Sequence, residues 1–103
     1  MAGKTVVILP DTKQVLAKMG VRIKKARLRR NIRAEQLAES TGISKGTLLS
    51  IEKGVSTVSI GAYAAVLCAL GMENDLDLIA LDEEGKQRCR ELNLHKRVRA
   101  KGR

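Results

Sequence analysis

From Val15 to Ala26 the apolar residues return at steps of three and four: Val15, Leu16, Met19, Ile23 and Ala26. Lys and Arg fill the positions between them, which predicts an amphipathic helix with a strongly basic outer face. Asp11 or Thr12 can cap this helix, so it should begin near Lys13 and end around Arg30–Asn31. Gly20 weakens it and marks a candidate bend or break. Ahead of it, "KTVVILP" is a β-branched run stopped by Pro10, which reads as an extended arm or short strand. A lone short strand needs a partner, so pairing with the same segment of a second subunit is expected. "GKT" at Gly3–Thr5 echoes a phosphate-binding loop but lacks the upstream glycine such a loop requires.

The rest of the chain divides at glycines and serines. A second helix covers roughly Arg33–Ser40 and stops at Gly42. A third runs from Lys45 to about Lys53, with Ser44 as its cap and Gly54 as its stop. "VSTVS" is a loop, and Ser59 caps a fourth helix, "IGAYAAVLCALG". There Ile60, Tyr63, Ala64, Leu67 and Leu70 form an apolar stripe with Val66 beside it, and Cys68 reads as a small buried hydrophobe. Glu73–Leu81 predicts a fifth, short acidic helix. Asp82–Leu92 predicts a weaker sixth one containing Gly85, and "HKRVRAKGR" reads as a tail. The organisation is thus an arm over residues 1–12, a helical domain over 13–81, and a C-terminal helix and basic tail over 82–103.

Composition supports an all-α class. Of 103 residues, 44% are apolar, but Tyr63 is the sole aromatic, so the core must be aliphatic and suits packed helices better than a sheet. Charge adds a direction. The net charge is +9, and it is segregated. Residues 1–33 hold ten Lys or Arg against Asp11 alone, residues 34–93 hold five against ten acids, and residues 94–103 hold five and no acid. Basic ends around an acidic middle point to a polyanion partner, although a solvated face plus a disordered tail would show the same pattern. Cys68 and Cys89 lack metal-ligand spacing and His95 is the sole histidine, so metal, cofactor and acid–base chemistry have no support. No stretch reads as a signal peptide or a membrane span, and the expected location is the cytoplasm, in association with the nucleoid.

One stretch resists explanation as packing. In "GISKGTLLSIEKG", Leu48 and Ile51 share one helix face, while Leu49 points about 100° away with Lys45, Gly46 and Ser50. Glycine is a poor helix-interior residue, and this outward face has no reason to be buried. Helices two and three are short and joined by a few residues containing Gly42, which is a helix-turn-helix arrangement. Ala38 lets the two helices approach, Gly42 supplies a turn with φ > 0, Ile43 plugs the turn, and Leu37, Leu48 and Ile51 form the shared interior. An ordinary hairpin of two helices is the plain alternative.

These residues resemble the Cro/C1-type (XRE-like) helix-turn-helix family, over about Met19 to Met72. Arg27, Leu37–Ala38, Gly42–Ser44 and Ile51–Gly54 carry the match. The resemblance implies a five-helix bundle, with the short N-terminal extended arm and the basic C-terminal tail as flanks. In that family the third helix enters the DNA major groove, from a homodimer. It implies base contacts from Lys45, Gly46, Leu49 and Ser50. Ser44 would cap the helix and touch phosphate, and Thr47 would sit near the backbone. Arg27 and Glu52 would form a structural pair bridging helix one to the end of helix three. The flanks "LP", "SIGAYAAVLCALG" and "LNLHKRVRAKGR" are further similar to HipB-like antitoxins, regulators that partner HipA-like kinase toxins.

The sequence departs from that pattern where helix two opens. The family places Ser or Thr followed by Gln there, and this chain has Arg33 and Ala34. Arg33, with Arg29, Arg30 and Asn31, is expected to supply the phosphate contacts instead, which makes binding more salt-sensitive. The expected function is a repressor of its own operon, acting on a palindromic double-stranded operator as the antitoxin of a type II toxin–antitoxin pair. It would bind a HipA-like kinase toxin or its subunits and no membrane. A stand-alone phage-type or metabolic repressor is the alternative. An RNA- or ribosome-binding protein fits less well, because it lacks aromatic stacking platforms. The chain is not expected to be an enzyme.

Overall fold

The computed structural model of the protein describes residues 6–82. Those residues form five helices and no strand: α1 (Pro10–Arg29), α2 (Ala34–Thr41), α3 (Lys45–Glu52), α4 (Ile60–Ala69) and α5 (Glu73–Asp77). Helix α1 packs on α3, α2 on both α3 and α4, and α5 on α4.

Helix α1 starts three residues earlier than Lys13. Pro10 takes the first turn, where its fixed φ suits a helix and its missing N–H costs nothing. Leu9 stands at the cap position without a side-chain hydrogen bond, so neither Asp11 nor Thr12 caps the helix. Residues 6–9 have no regular structure, and Val6, Val7 and Leu9 are exposed. They form no strand within this chain, and the pairing expected of them is with a second subunit.

Nor does α1 break at Gly20: the helix is continuous over its 20 residues. Gly20 is buried there for a packing reason. A Cβ on it would lie 2.6 Å from the carbonyl oxygen of Glu52 and 2.6 Å from the backbone nitrogen of Gly54. A Cβ on Gly54 would in turn strike the backbone of Leu16 and Ala17. The two glycines let α1 and the end of α3 cross backbone against backbone.

The core is aliphatic, as the composition requires. Ile23 and Ala26 of α1 meet Leu37 and Ala38 of α2, Leu48 and Ile51 of α3, and Tyr63, Val66 and Leu67 of α4, with Leu70 just beyond. Three expected core positions lie outside it. Val15 and Ile60 are exposed, because both lie N-terminal to the buried core residues of their helices, which begin at Ile23 in α1 and Tyr63 in α4. Cys68 is exposed as well, on the outer side of α4.

Helix α5 is shorter than expected and ends at Asp77. Leu78, Ile79 and Ala80 continue as turns, with Ala80 at φ 63°. The predicted sixth helix lies outside the described residues after Asp82, as does the tail. No helix among the described residues is long and apolar enough to cross a membrane.

Candidate nucleic-acid interface

The site is built from α2, α3 and the turn between them. Gly42 closes α2 at φ 77°, a conformation a side chain disfavours. The Ile43 N–H then donates to the Ala38 carbonyl at 3.1 Å, and Ile43 packs against the core. At the start of α3 the Ser44 hydroxyl accepts from the Thr47 N–H at 3.0 Å. The Thr47 side chain lies 3.0 Å from the same hydroxyl, so its oxygen is engaged in the cap. Helix α2 opens with half of a capping box. The Gln36 side-chain oxygen accepts from the Arg33 N–H at 2.8 Å, and Arg33 has no acceptor to return.

The angle of α3 is fixed at its far end. Arg27 donates from Nε to Glu52 Oε2 at 2.6 Å and from Nη2 to Oε1 at 3.1 Å. Its Nη1 donates to the Ile32 carbonyl at 2.9 Å. Both side chains are buried, and the hydrogen bond to Glu52 holds the Arg27 guanidinium above its ordinary pKa. A buried two-pronged pair sets direction as well as distance. After α3, the Tyr63 hydroxyl donates to the Val55 carbonyl at 2.7 Å and ties the following loop to α4. Burial pushes the Tyr63 phenol up. The ring expected only as core also anchors the loop that leaves α3.

With Leu48, Ile51 and Glu52 turned inward, the opposite side of α3 carries Gly46, Leu49 and Ser50. Leu49 keeps 39% of its surface exposed and Ser50 is half-buried. Gly46 faces open space: the nearest atom to a Cβ there would be Ser44 Oγ, at 3.8 Å. Nothing in the fold requires a glycine at this position. Lys53, just past the helix end, falls on the same side by helical spacing and is exposed. Lys53 was read from the sequence only as a terminus. The recurrence Gly46, Leu49 or Ser50, Lys53 at three- and four-residue steps is the signal that finds it.

Lys45 opens this face but is not a free cation. Its Nζ lies 3.1 Å from Glu35 Oε2, across from α3 to the first turn of α2, and both side chains are exposed. The Glu35 carboxyl is held below its ordinary range, first by its own backbone N–H and then by Lys45. Arg33 is close enough to add to the effect. Glu35 was not singled out from the sequence, because ten residues separate it from its partner and only the turn brings them together.

Arg33 is exposed at the start of α2, beside this surface. Arg29 is not. Arg29 lies about 180° around α1 from Gly20, the residue that touches α3. It lines a groove with Arg22, Lys25, Arg30 and Met72 on the far side of that helix. Lys18, Arg22 and Lys25 fall within about 40° of the same line, so α1 carries a basic ridge that faces away from α3. The Arg30 guanidinium folds back to its own helix and donates to the Ala26 carbonyl at 2.9 Å. Of the expected phosphate-contacting residues, the fold gathers Arg33, Ser44 and Thr47 and leaves Arg29 and Arg30 apart.

Among the described residues no group of His, Cys, Asp or Glu could hold a metal ion. Residues 23–73 match the helix-turn-helix family. A protein of Methanothermobacter thermautotrophicus described as an uncharacterized HTH-type transcriptional regulator is 37% identical over 51 residues. That stretch is 50% of this chain and 74% of that protein.

Proposed function

This chain belongs to the Cro/C1-type (XRE-like) helix-turn-helix family, and we propose that it is a sequence-specific, DNA-binding transcriptional repressor that reads the major groove with α3. The observation that carries this reading is the outward side of α3. Lys45, Gly46, Leu49 and Ser50 present a cation, a bare backbone, an exposed aliphatic and a hydroxyl on one surface, and Gly46 has no role in packing. In a major groove the same set is ordered chemistry. A Lys donates to guanine O6 or N7, an aliphatic meets a thymine methyl, a hydroxyl serves several bases, and a glycine permits close approach. Arg33, Ser44, Thr47 and Lys53 surround that set and suit phosphate oxygens.

The protein acts as a homodimer on a palindromic operator whose half-sites lie about one helical turn, ~34 Å, apart. The exposed aliphatics Leu78 and Ile79, which line a groove with Met19, Leu67 and Met72, support a second copy as the occupant of that surface. With HipB-like flanks, the protein is the antitoxin that binds a HipA-like kinase toxin and represses their shared operon. The basic segment 94–103 either tracks phosphate or docks on the toxin. A stand-alone repressor would share the DNA chemistry and lack the toxin. An RNA-binding role is disfavoured, because the one aromatic ring is buried with its hydroxyl on Val55.

The test is a gel shift on the DNA upstream of its own gene across a salt series, with co-purification of the neighbouring gene product. Discrete shifted bands that outcompete random duplex support a repressor, and a co-purifying kinase supports the antitoxin role. Equal binding to every duplex would remove the repressor reading, and a DNA-binding protein with no kinase partner would leave the stand-alone one.

A further inference from the structure

We propose that Glu35 is a specificity-determining positioning residue, which holds the Lys45 ammonium at the entrance of α3 so that it serves a base edge rather than the nearest phosphate. The inference rests on the reading of α3 as the DNA-reading helix. Its observation is the 3.1 Å contact between Lys45 Nζ and Glu35 Oε2, which joins the first turns of α2 and α3.

The pair has no evident use in the fold. Both side chains are largely in water, 52% and 61% exposed, and such pairs contribute little to stability. The work of holding α2 and α3 together is done by the Gly42 turn and the buried Leu37, Ala38, Leu48 and Ile51. An acid beside the reading surface also carries a cost, because it repels the phosphates that supply most non-specific affinity. A carboxylate placed there needs a compensating benefit.

The chemistry of the ammonium supplies one. Lysine has three N–H donors, and Glu35 takes one of them. Two remain, enough for guanine O6 and N7. A phosphate attracts the whole charge from any direction, and the adjacent carboxylate cancels most of that attraction at long range. A base edge is recognised by donors at short range, which the carboxylate leaves in place and orients. Glu35 therefore weakens attraction to every sequence while sparing contact with one. Specificity is a difference between two affinities, and a repulsive element against the wrong partner raises it as surely as an attractive one toward the right partner. Arg33, exposed two residues before Glu35, leaves a phosphate-directed cation on the same edge, so loss of the Lys45 charge does not strip the site.

The test compares the full chain with Glu35→Gln, alone and together with Lys45→Ala. The two duplexes are one selected by the wild-type protein from a random pool and a scrambled duplex of the same composition. In Glu35→Gln, affinity for the scrambled duplex should rise roughly three- to fivefold, and its log–log salt slope should steepen by about 0.9, one added phosphate contact. Discrimination between the duplexes should fall by a similar factor. In the Lys45→Ala background the same change should do much less. Unchanged discrimination and slope would overturn the proposal, leaving an ordinary surface pair. An effect undiminished without Lys45 would also overturn it, because Glu35 would then act only by repelling phosphate directly. A wild-type protein that does not discriminate at all would overturn this inference and the repressor reading together, which separates the two failures. Thermal melts of each variant should coincide with wild type, since neither side chain is buried.

Discussion

Gly20 in α1 and Gly54 after α3 touch through their backbones, with room for a side chain on neither. This contact seats the C-terminal end of α3 on α1, and the Glu52 backbone that meets Gly20 belongs to the same residue whose side chain pairs with Arg27. Position and angle of α3 are thus set by two unlike devices at the same end: a close approach without side chains and a two-pronged ion pair. The N-terminal half is left free to meet a groove.

Gly20→Ala should therefore cost stability, although alanine is the better helix former. The added methyl meets the backbone of Glu52 and Gly54, which cannot rotate aside, and overpacking of this kind costs about 1–3 kcal/mol. Urea unfolding should show a lowered midpoint.

Gly46→Ala should do the opposite in the free protein. A Cβ there has nothing closer than 3.8 Å, so stability should rise by up to ~1 kcal/mol from helix propensity alone. Operator affinity should fall, because the methyl intrudes on the groove. A melt and a binding isotherm on the same variant separate these effects. Unchanged affinity would show that the helix does not approach DNA at this position.

The contrast between these glycines shows where the sequence was legible. The starts of α3 and α4 and the ends of α2 and α3 could be read directly, because Ser44 and Ser59 cap by local hydrogen bonds and Gly42 and Gly54 stop helices by local conformation. Gly20 was misread as a bend because a helix-weakening glycine and a close-packing glycine look alike until the neighbouring element is placed. Cys68 was misplaced because an apolar run does not say which of its residues face inward, and Val15 and Ile60 for a related reason. Periodicity identifies the apolar side of a helix but not how far along it the neighbours reach. The outward side of α3 was legible, since it needed only the phase of one helix. Glu35, Lys53 and the separation of Arg29 from the reading surface depend on how helices cross.

Arg27→Met should destabilise strongly. It leaves Glu52 buried without its partner, and breaking such a pair costs about 3–5 kcal/mol. Replacing both residues by apolar ones of similar volume should cost much less in unfolding experiments, yet it should still weaken operator binding. That outcome would separate the pair's part in aiming α3 from its part in stability.

Arg33→Gln and Arg29→Gln should differ although both remove one exposed cation. Arg33 borders the reading surface, and its loss should weaken binding to all sequences and flatten the log–log salt slope by about 0.9. Arg29 lies on the far side of α1, so its slope should stay near wild type. Titrations at several salt concentrations on one duplex read the difference.

The most direct measurement is discrimination by Lys45→Ala and Leu49→Ala across single-base variants of the selected operator. If α3 reads the groove with this face, each variant should lose preference at its own one or two base pairs, by about 1–3 kcal/mol per position for Lys45, and keep the preferences elsewhere. Lys45 should matter at a guanine and Leu49 at a thymine. Uniformly weaker binding with every base preference intact would contradict the assignment of this face, and so would preferences identical to wild type.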